Sequence, residues 1–213
     1  MDEVAVIEDP AAAEVVLDPV RAGLLAALVS PGSASTLAAS VGLSRQKVNY
    51  HLHALERVGL IELVEERRKG NMTERVLKAV AASFVISPAA LLPVAPDPAR
   101  SRDEYSAGWL LALSARLVRE VGTLVAGARA AGQPLATFAG DTRIDFASAA
   151  DRAAFARELA ASVDELVDRY HRPQAPGARG HRLVLAMHPT LRETGDGAAV
   201  SGPKAVRTSA PPT

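Results

Sequence analysis

Hydrophobic residues recur at helical spacing in the first third of the chain. Asp18 can cap a helix that begins at Pro19, because a proline in the first helical turn loses no hydrogen bond. The apolar face of this predicted helix consists of Val20, Leu24, Leu25 and Leu28. Ser30-Pro31-Gly32 then ends it.

A short helical pattern and a longer one follow, separated by a glycine. Ser33 or Ser35 can cap the first predicted helix, whose apolar side is formed by Leu37 and Val41. Gly42 then permits the positive φ of a tight turn. Ser44 is a suitable cap for the second. Its apolar residues recur at i, i+4 and i+7, which predicts one buried stripe formed by Val48, Leu52 and Leu55.

The second of these helices has a polar face on the side away from its apolar stripe. At about 100° per residue, this face carries Gln46, Asn49, Tyr50, His53 and Arg57. Arg45 and Lys47 flank its first turn, and His51, close to the stripe, is interpreted as a hydrogen-bonded packing residue. Such side chains can reach base edges and phosphates, although any solvated helix face has a similar composition.

A β-hairpin pattern comes directly after this helix. Ile61 and Leu63 begin a predicted strand, Gly70-Asn71 supplies a turn, and Arg75 to Ala81 is the predicted returning strand. The basic residues Arg67, Arg68 and Lys69 lie at the tip, where they form either a plain charged turn or a set of phosphate contacts. Together the elements predict a winged helix-turn-helix that binds DNA. The predicted DNA-binding residues are Ser44, Arg45, Gln46, Lys47, Asn49, Tyr50, His53, Arg57, Arg67, Arg68 and Lys69.

The same segment, over roughly residues 15 to 85, resembles the winged-helix domain of the ArsR-type bacterial transcriptional regulators. The matching pieces are Asp18-Pro19-Val20-Arg21, Leu37-Ala38, Gly42-Leu43-Ser44, Val48-x-Tyr50-His51-Leu52-x-x-Leu55 and Val58-Gly59-Leu60-Ile61. The resemblance implies a homodimer that binds a palindromic double-stranded DNA operator, usually as a repressor relieved by a ligand.

The chain departs from the metal-sensing members of that group, because it contains no cysteine. His51 and His53 are two positions apart on one helix and diverge by about 200°, so they cannot share a metal well. His181 and His188 lie at opposite ends of a predicted strand. We therefore expect no metal site and no cofactor. The expected effector is a small organic molecule.

The sequence of residues 103–188 predicts a small second module. Asp103 to Ala131 has a helical stripe that is either a dimer seam or an internal core, formed by Leu110, Leu113, Leu117, Val121, Leu124 and Ala128. Further predicted elements are strands at 135–139, 142–146 and 181–188 and a helix after Ser148 with Phe155, Leu159, Val163, Leu166 and Tyr170 on one face. Large apolar side chains that either line an effector pocket or fill the core are Trp109, Leu113, Phe138, Phe146, Phe155 and Met187.

The expected fold is α+β and mainly helical: an N-terminal winged helix-turn-helix and a small C-terminal α+β module with a long helix. The predicted boundaries are a flexible arm at 1–13, the winged helix-turn-helix at 14–87, a proline-rich linker at 88–102, the dimerisation and effector module at 103–188 and a disordered tail at 189–213.

Composition narrows the possible functions. Formal net charge is zero, but basic residues concentrate in the winged segment, at Arg45, Lys47, Arg57, Arg67, Arg68, Lys69 and Arg75. No apolar run approaches the ~20 residues that span a bilayer, and the N-terminus lacks a signal-peptide pattern, so we expect a cytoplasmic, nucleoid-associated protein. Catalytic motifs are not recognisable, which predicts a protein that is not an enzyme. The alternative to a transcriptional regulator is a winged-helix adaptor that binds proteins and not specific DNA.

Overall fold

The computed structural model describes residues 1–69, 72–104, 106–191 and 207–209. The chain forms two compact units, Met1–Gln133 and Pro134–Thr213. It is an α+β protein with more residues in helices than in strands, as the sequence predicts. Among the described residues, no helix combines the length and apolar character that crossing a bilayer requires.

The first unit contains five of the α-helices, and helices contribute most of its core. These are α1 (Pro10–Val16), α2 (Pro19–Ala27), α3 (Ala34–Val41), α4 (Arg45–Arg57) and α5 (Ala107–Ala130). The predicted cap of α2 is confirmed, since Asp18 Oδ1 accepts from the amides of Val20 and Arg21 at 2.9 and 3.0 Å. The largest side chains that are almost completely buried come from α2, from its C-cap residue Leu28 and from α4: Leu24, Leu28, Val48, Leu52 and Leu55.

An antiparallel three-stranded sheet packs beside these helices. It consists of β2 (Gly32–Ser33), β3 (Ile61–Lys69) and β4 (Met72–Ala79), in the order β2-β4-β3. The hairpin predicted after α4 is therefore confirmed, although its predicted Gly70-Asn71 turn lies outside the described residues. Ile61 pairs with Ala79, both buried, so the base of the hairpin belongs to the core.

The N-terminal residues are more ordered than expected. Instead of a flexible arm, the structure has strand β1 (Asp2–Ile7), which pairs in parallel with β5 (Ala81–Ile86), and α1 begins soon afterwards, capped by Asp9. Ile7 is part of the hydrophobic core. The partner of β1 lies about 80 positions away, so local sequence patterns contain no signal for this pairing.

The segment predicted as a linker, 88–102, contains two 3₁₀ helices, Pro88–Val94 and Pro98–Arg100, both in contact with α5. Helix α5 itself belongs to the first unit and not to a C-terminal module. It lies close against β1, where a Cβ built on Gly122 would come within 2.8 Å of Val6 Cβ. The stripe predicted on α5 is divided, because Leu113 is buried while Leu117, Val121 and Leu124 are exposed.

The second unit consists of α6 (Ala149–Tyr170) and a two-stranded antiparallel sheet, β6 (Thr137–Ala139) with β7 (Arg207–Ser209). The helix predicted after Ser148 is confirmed, and the serine side chain caps it by accepting from the amide of Asp151 at 3.0 Å. The strands predicted at 142–146 and 181–188 were wrong, since neither segment has strand structure. A single alternating segment is not stable as a strand without a partner. Of the predicted disordered tail, 192–206 and 210–213 lie outside the described residues.

Candidate nucleic-acid interface

Helices α3 and α4 form a helix-turn-helix around Gly42. This glycine has φ 67°, the left-handed conformation that favours glycine at a helix C-terminus. Ser44 then caps α4, and its Oγ accepts from the amide of Lys47 at 3.3 Å. The apolar stripe of α4 is buried to 1% exposure or less, so the orientation of its opposite face is fixed by the core.

The predicted reading face of α4 is exposed. The solvent-accessible residues are Ser44, Arg45, Gln46, Lys47, Asn49, Tyr50, His53 and Arg57. Tyr50 is 69% exposed although it is a large aromatic residue, so it does not serve as a core residue in the monomer. A helix that buries one side completely and presents amide, phenol, imidazole and guanidinium groups on the other is suited to the major groove.

A groove of about 390 Å³ runs between α4 and β4. Gln46, Asn49 and His53 lie on one wall. Glu74 and Arg75 of β4 lie on the other, so the groove brings the predicted base-contacting side chains next to an acidic and a basic group. The interface is therefore chemically mixed and is not a uniform basic surface.

Arg75, which the sequence assigns to the basic patch, is engaged within the protein. Arg75 Nη1 and Nη2 donate to Glu56 Oε2 and Oε1 at 3.0 and 2.6 Å, and His53 Nδ1 lies 3.5 Å from Glu56 Oε2. The hydrogen bonds from Arg75 lower the pKa of Glu56, so that carboxylate stays ionised. This bidentate pair joins α4 to β4, and sequence reasoning missed it because the partners come from different elements.

The hairpin has a weaker positive charge than its tip suggests. Arg67 Nη2 lies 2.9 Å from Glu65 Oε2, and the pKa of Glu65 is lowered by the hydrogen bond from Arg67. Arg68 is exposed, while the side chain of Lys69 lies outside the described residues. Residues 61–79 contain five basic and four acidic residues, so positive and negative charges are nearly balanced in the hairpin. Arg68 is the described tip residue best placed for a phosphate.

Ser33 has two structural roles at the beginning of α3. It caps the helix, with its Oγ accepting from the amide of Thr36 at 3.3 Å, and it donates to Glu74 Oε1 at 2.6 Å. The cap is therefore Ser33 and not Ser35, the second residue that the sequence allowed. The bond to Glu74 connects the helix-turn-helix to the hairpin at a second point.

Two further residues near α4, Arg21 and His51, contact other parts of the protein. Arg21 Nε donates to the carbonyl of Val15 at 2.7 Å, which ties α2 to the end of α1. His51 is half-buried against Tyr50, with ring centroids 5.4 Å apart. In the part of the chain described, its buried Nδ1 has no hydrogen-bond partner, so the expected bond is not present at this atom.

The residues predicted for an effector pocket are divided between the two units. Trp109 and Leu113 belong to the first unit, where Leu113 is buried. In the second unit Phe146 and Phe155 contact each other, with ring centroids 5.4 Å apart, whereas Phe138 and Met187 are exposed. A pocket built from all six stays a prediction.

Within the described ranges, no group of three or more His, Cys, Asp or Glu side chains is arranged to hold a metal ion.

Residues 16–64 match a protein family described as a helix-turn-helix domain. The match covers α2, α3, α4 and the beginning of β3, the elements that present the exposed face described above. A search of curated proteins found no match. The matched domain and its geometry together support a DNA-binding transcription regulator.

Proposed function

We propose that this protein is a ligand-responsive repressor of the ArsR type that binds a palindromic operator as a homodimer. The observation that carries the proposal is the division of α4, whose apolar stripe is almost completely buried while its polar face is exposed. Asn49 and Tyr50 contact bases in the major groove, and Arg68 contacts a phosphate. Two-fold symmetry places half-sites about one helical turn apart.

Support for a homodimer comes from the first unit. Leu117, Val121 and Leu124 of α5 are exposed on the side of that helix away from Gly122 and β1. Large aliphatic side chains in a row are stabilised when a second surface removes them from water. In the proposed dimer, a second copy covers this row.

The proposed effector is a small organic molecule, and the protein acts through binding, without catalysis. A ligand shifts the equilibrium between two arrangements of the dimer only by binding one arrangement more tightly than the other. In this proposal the protein acts on the nucleoid in the cytoplasm.

The decisive experiment is selection of random DNA duplexes by the purified full chain. We expect enrichment of a palindrome with half-site centres about 10 base pairs apart. Enrichment of a single asymmetric site would contradict the proposed symmetry, and the absence of any enriched sequence would contradict sequence-specific binding. Sedimentation of the protein without DNA tests the dimer separately.

A second candidate is a winged-helix adaptor that binds another protein. The near-balanced charge of residues 61–79 and the internal pairing of Arg67 and Arg75 favour it, because charge neutralisation of DNA requires available cations. A gel shift on the DNA upstream of the protein's own gene, repeated at several salt concentrations, separates the two. A DNA-binding regulator loses affinity steeply with salt, whereas an adaptor does not shift the duplex at any salt concentration.

A further inference from the structure

Helix α6 is long, amphipathic and without a core of its own. Among the described residues 134–191 of the second unit, not one side chain is buried. Leu159, Leu166 and Tyr170 are 39, 49 and 72% exposed. An isolated helix in water is marginally stable, and most helical stability in proteins comes from packing an apolar face. The apolar stripe of α6 therefore requires a covering surface.

The stripe of α6 is nearly symmetric about its middle. Its members span an arc of only about 80° on a helical projection, and they are Phe155, Leu159, Val163, Leu166 and Tyr170. The position halfway between Phe155 and Tyr170 is within one residue of Val163. The position halfway between Leu159 and Leu166 is the same. When two copies of α6 are aligned antiparallel with Val163 opposite Val163, each large apolar residue meets another large apolar residue.

Charges beside the stripe agree with the same alignment. Glu158 and Arg169 are eleven residues apart, which is about three helical turns, so they lie on one edge of the stripe. In the described part of the chain, neither takes part in an ion pair. Antiparallel pairing about Val163 places Arg169 of each copy within one turn of Glu158 of the other. Parallel pairing instead sets this charged edge against alanines and Val167 and leaves both charges unmatched.

We propose that α6 is a self-association surface, on which α6 of a second copy of this chain packs antiparallel, centred on Val163. The inference adds a second contact to the homodimer of the proposed function and rests on that dimer. It does not depend on DNA binding.

Single cysteines provide the test, because the chain has none of its own. We expect Val163→Cys to form a covalent dimer on mild oxidation of the full-length protein. The matched control is Asp164→Cys, which is adjacent but points about 100° away from Val163, and we expect it to remain uncrosslinked.

The direction of pairing is tested with two other positions. With Val163 opposite Val163, the two copies of Leu159 are about 12 Å apart along the helix axis, too far for a disulfide. Leu159→Cys alone and Leu166→Cys alone should therefore not crosslink, whereas a mixture of the two variants should. Efficient crosslinking of Leu159→Cys alone would show parallel pairing and overturn the proposal.

Charge reversal adds a test that does not depend on oxidation. We expect Glu158→Arg and Arg169→Glu each to raise the dimer dissociation constant about three- to tenfold, and the double variant to restore it. Failure of the double variant to recover, or equal crosslinking at Val163 and Asp164, would overturn the proposal. If either of these results is found and the protein is still a dimer, a variant on α5 locates the interface. Loss of that dimer in Leu117→Glu would place the interface on α5 alone. Duplex selection is scored separately, so crosslinking without DNA binding would contradict only the proposed function.

Discussion

Arg75 of β4 and Glu56 of α4 form a bidentate ion pair, with N–O distances of 3.0 and 2.6 Å. The pair fixes the hairpin to the helix that carries the predicted base contacts, and one of these, His53, lies beside it with Nδ1 3.5 Å from Glu56 Oε2. It also neutralises a cation that the sequence assigned to the basic patch. The orientation of the wing and the charge of the interface thus depend on the same contact.

This pair predicts a pH-dependent contribution to stability. Both side chains are about one-third exposed, so solvent screening limits the loss in Glu56→Gln to about 1 kcal/mol at pH 7. Arg75 lowers the pKa of Glu56 in the folded state. The contribution is therefore present above the ordinary glutamate pKa of about 4.3, and it is lost as pH falls through the lower, folded-state value.

Denaturant unfolding at pH 7 and at pH 3 measures this effect. The difference between the wild-type protein and Glu56→Gln should shrink at the lower pH. Glu14→Gln, at an exposed position of α1, is the control and should change the free energy of unfolding little at either pH. A difference for Glu56→Gln that stays constant across pH would contradict the assignment.

The two arginines of the wing should contribute unequally to DNA binding. Arg68→Ala should weaken binding to all sequences alike and reduce the slope of log K against log salt by about 1, the value for one phosphate contact. Arg67→Ala should have a smaller effect, because Glu65 already pairs with Arg67. Fluorescence anisotropy over a salt series measures both slopes. A larger change for Arg67→Ala than for Arg68→Ala would contradict this ranking.

Asn49 and Tyr50 should determine sequence preference. Asn49→Ala should reduce discrimination between the selected site and a scrambled duplex by roughly 1–3 kcal/mol, the value of a well-placed contact to a base edge. Tyr50→Ala should relax preference in the same direction. The measurement is a pair of dissociation constants, on selected and scrambled DNA, with Arg68→Ala as the comparison. Equal losses on both duplexes for all three variants would remove the division between base and phosphate contacts.

Two glycines of α5 should respond oppositely to alanine. Gly122→Ala should destabilise the first unit, because the added Cβ would lie 2.8 Å from Val6 Cβ and would push α5 from β1. Gly127 faces open space, so Gly127→Ala should stabilise the protein by about 0.5–1 kcal/mol through helix propensity. Urea unfolding measures the change in the free energy of unfolding for both variants. Stabilisation by Gly122→Ala would show that α5 and β1 are not in close contact.

The helix-turn-helix could be predicted from the sequence because its signals are local. Caps at Asp18 and Ser44, the glycine turn at Gly42 and the i, i+4, i+7 stripe of α4 each depend on residues within a few positions. The exposure of the α4 polar face followed from the same periodicity. These features were correct to within a few residues.

Tertiary structure alone decided the contacts between distant segments. The pairing of β1 with β5, the position of α5 in the first unit and the Arg75–Glu56 ion pair join residues from about 20 to 80 positions apart. Local propensity does not encode which partner a strand or charge will meet, because that choice depends on the packing of the whole unit. For the same reason the strands predicted at 142–146 and 181–188 did not form. The sequence determined where helices begin, end and bury a face, and the three-dimensional fold determined which charges remain available to a ligand.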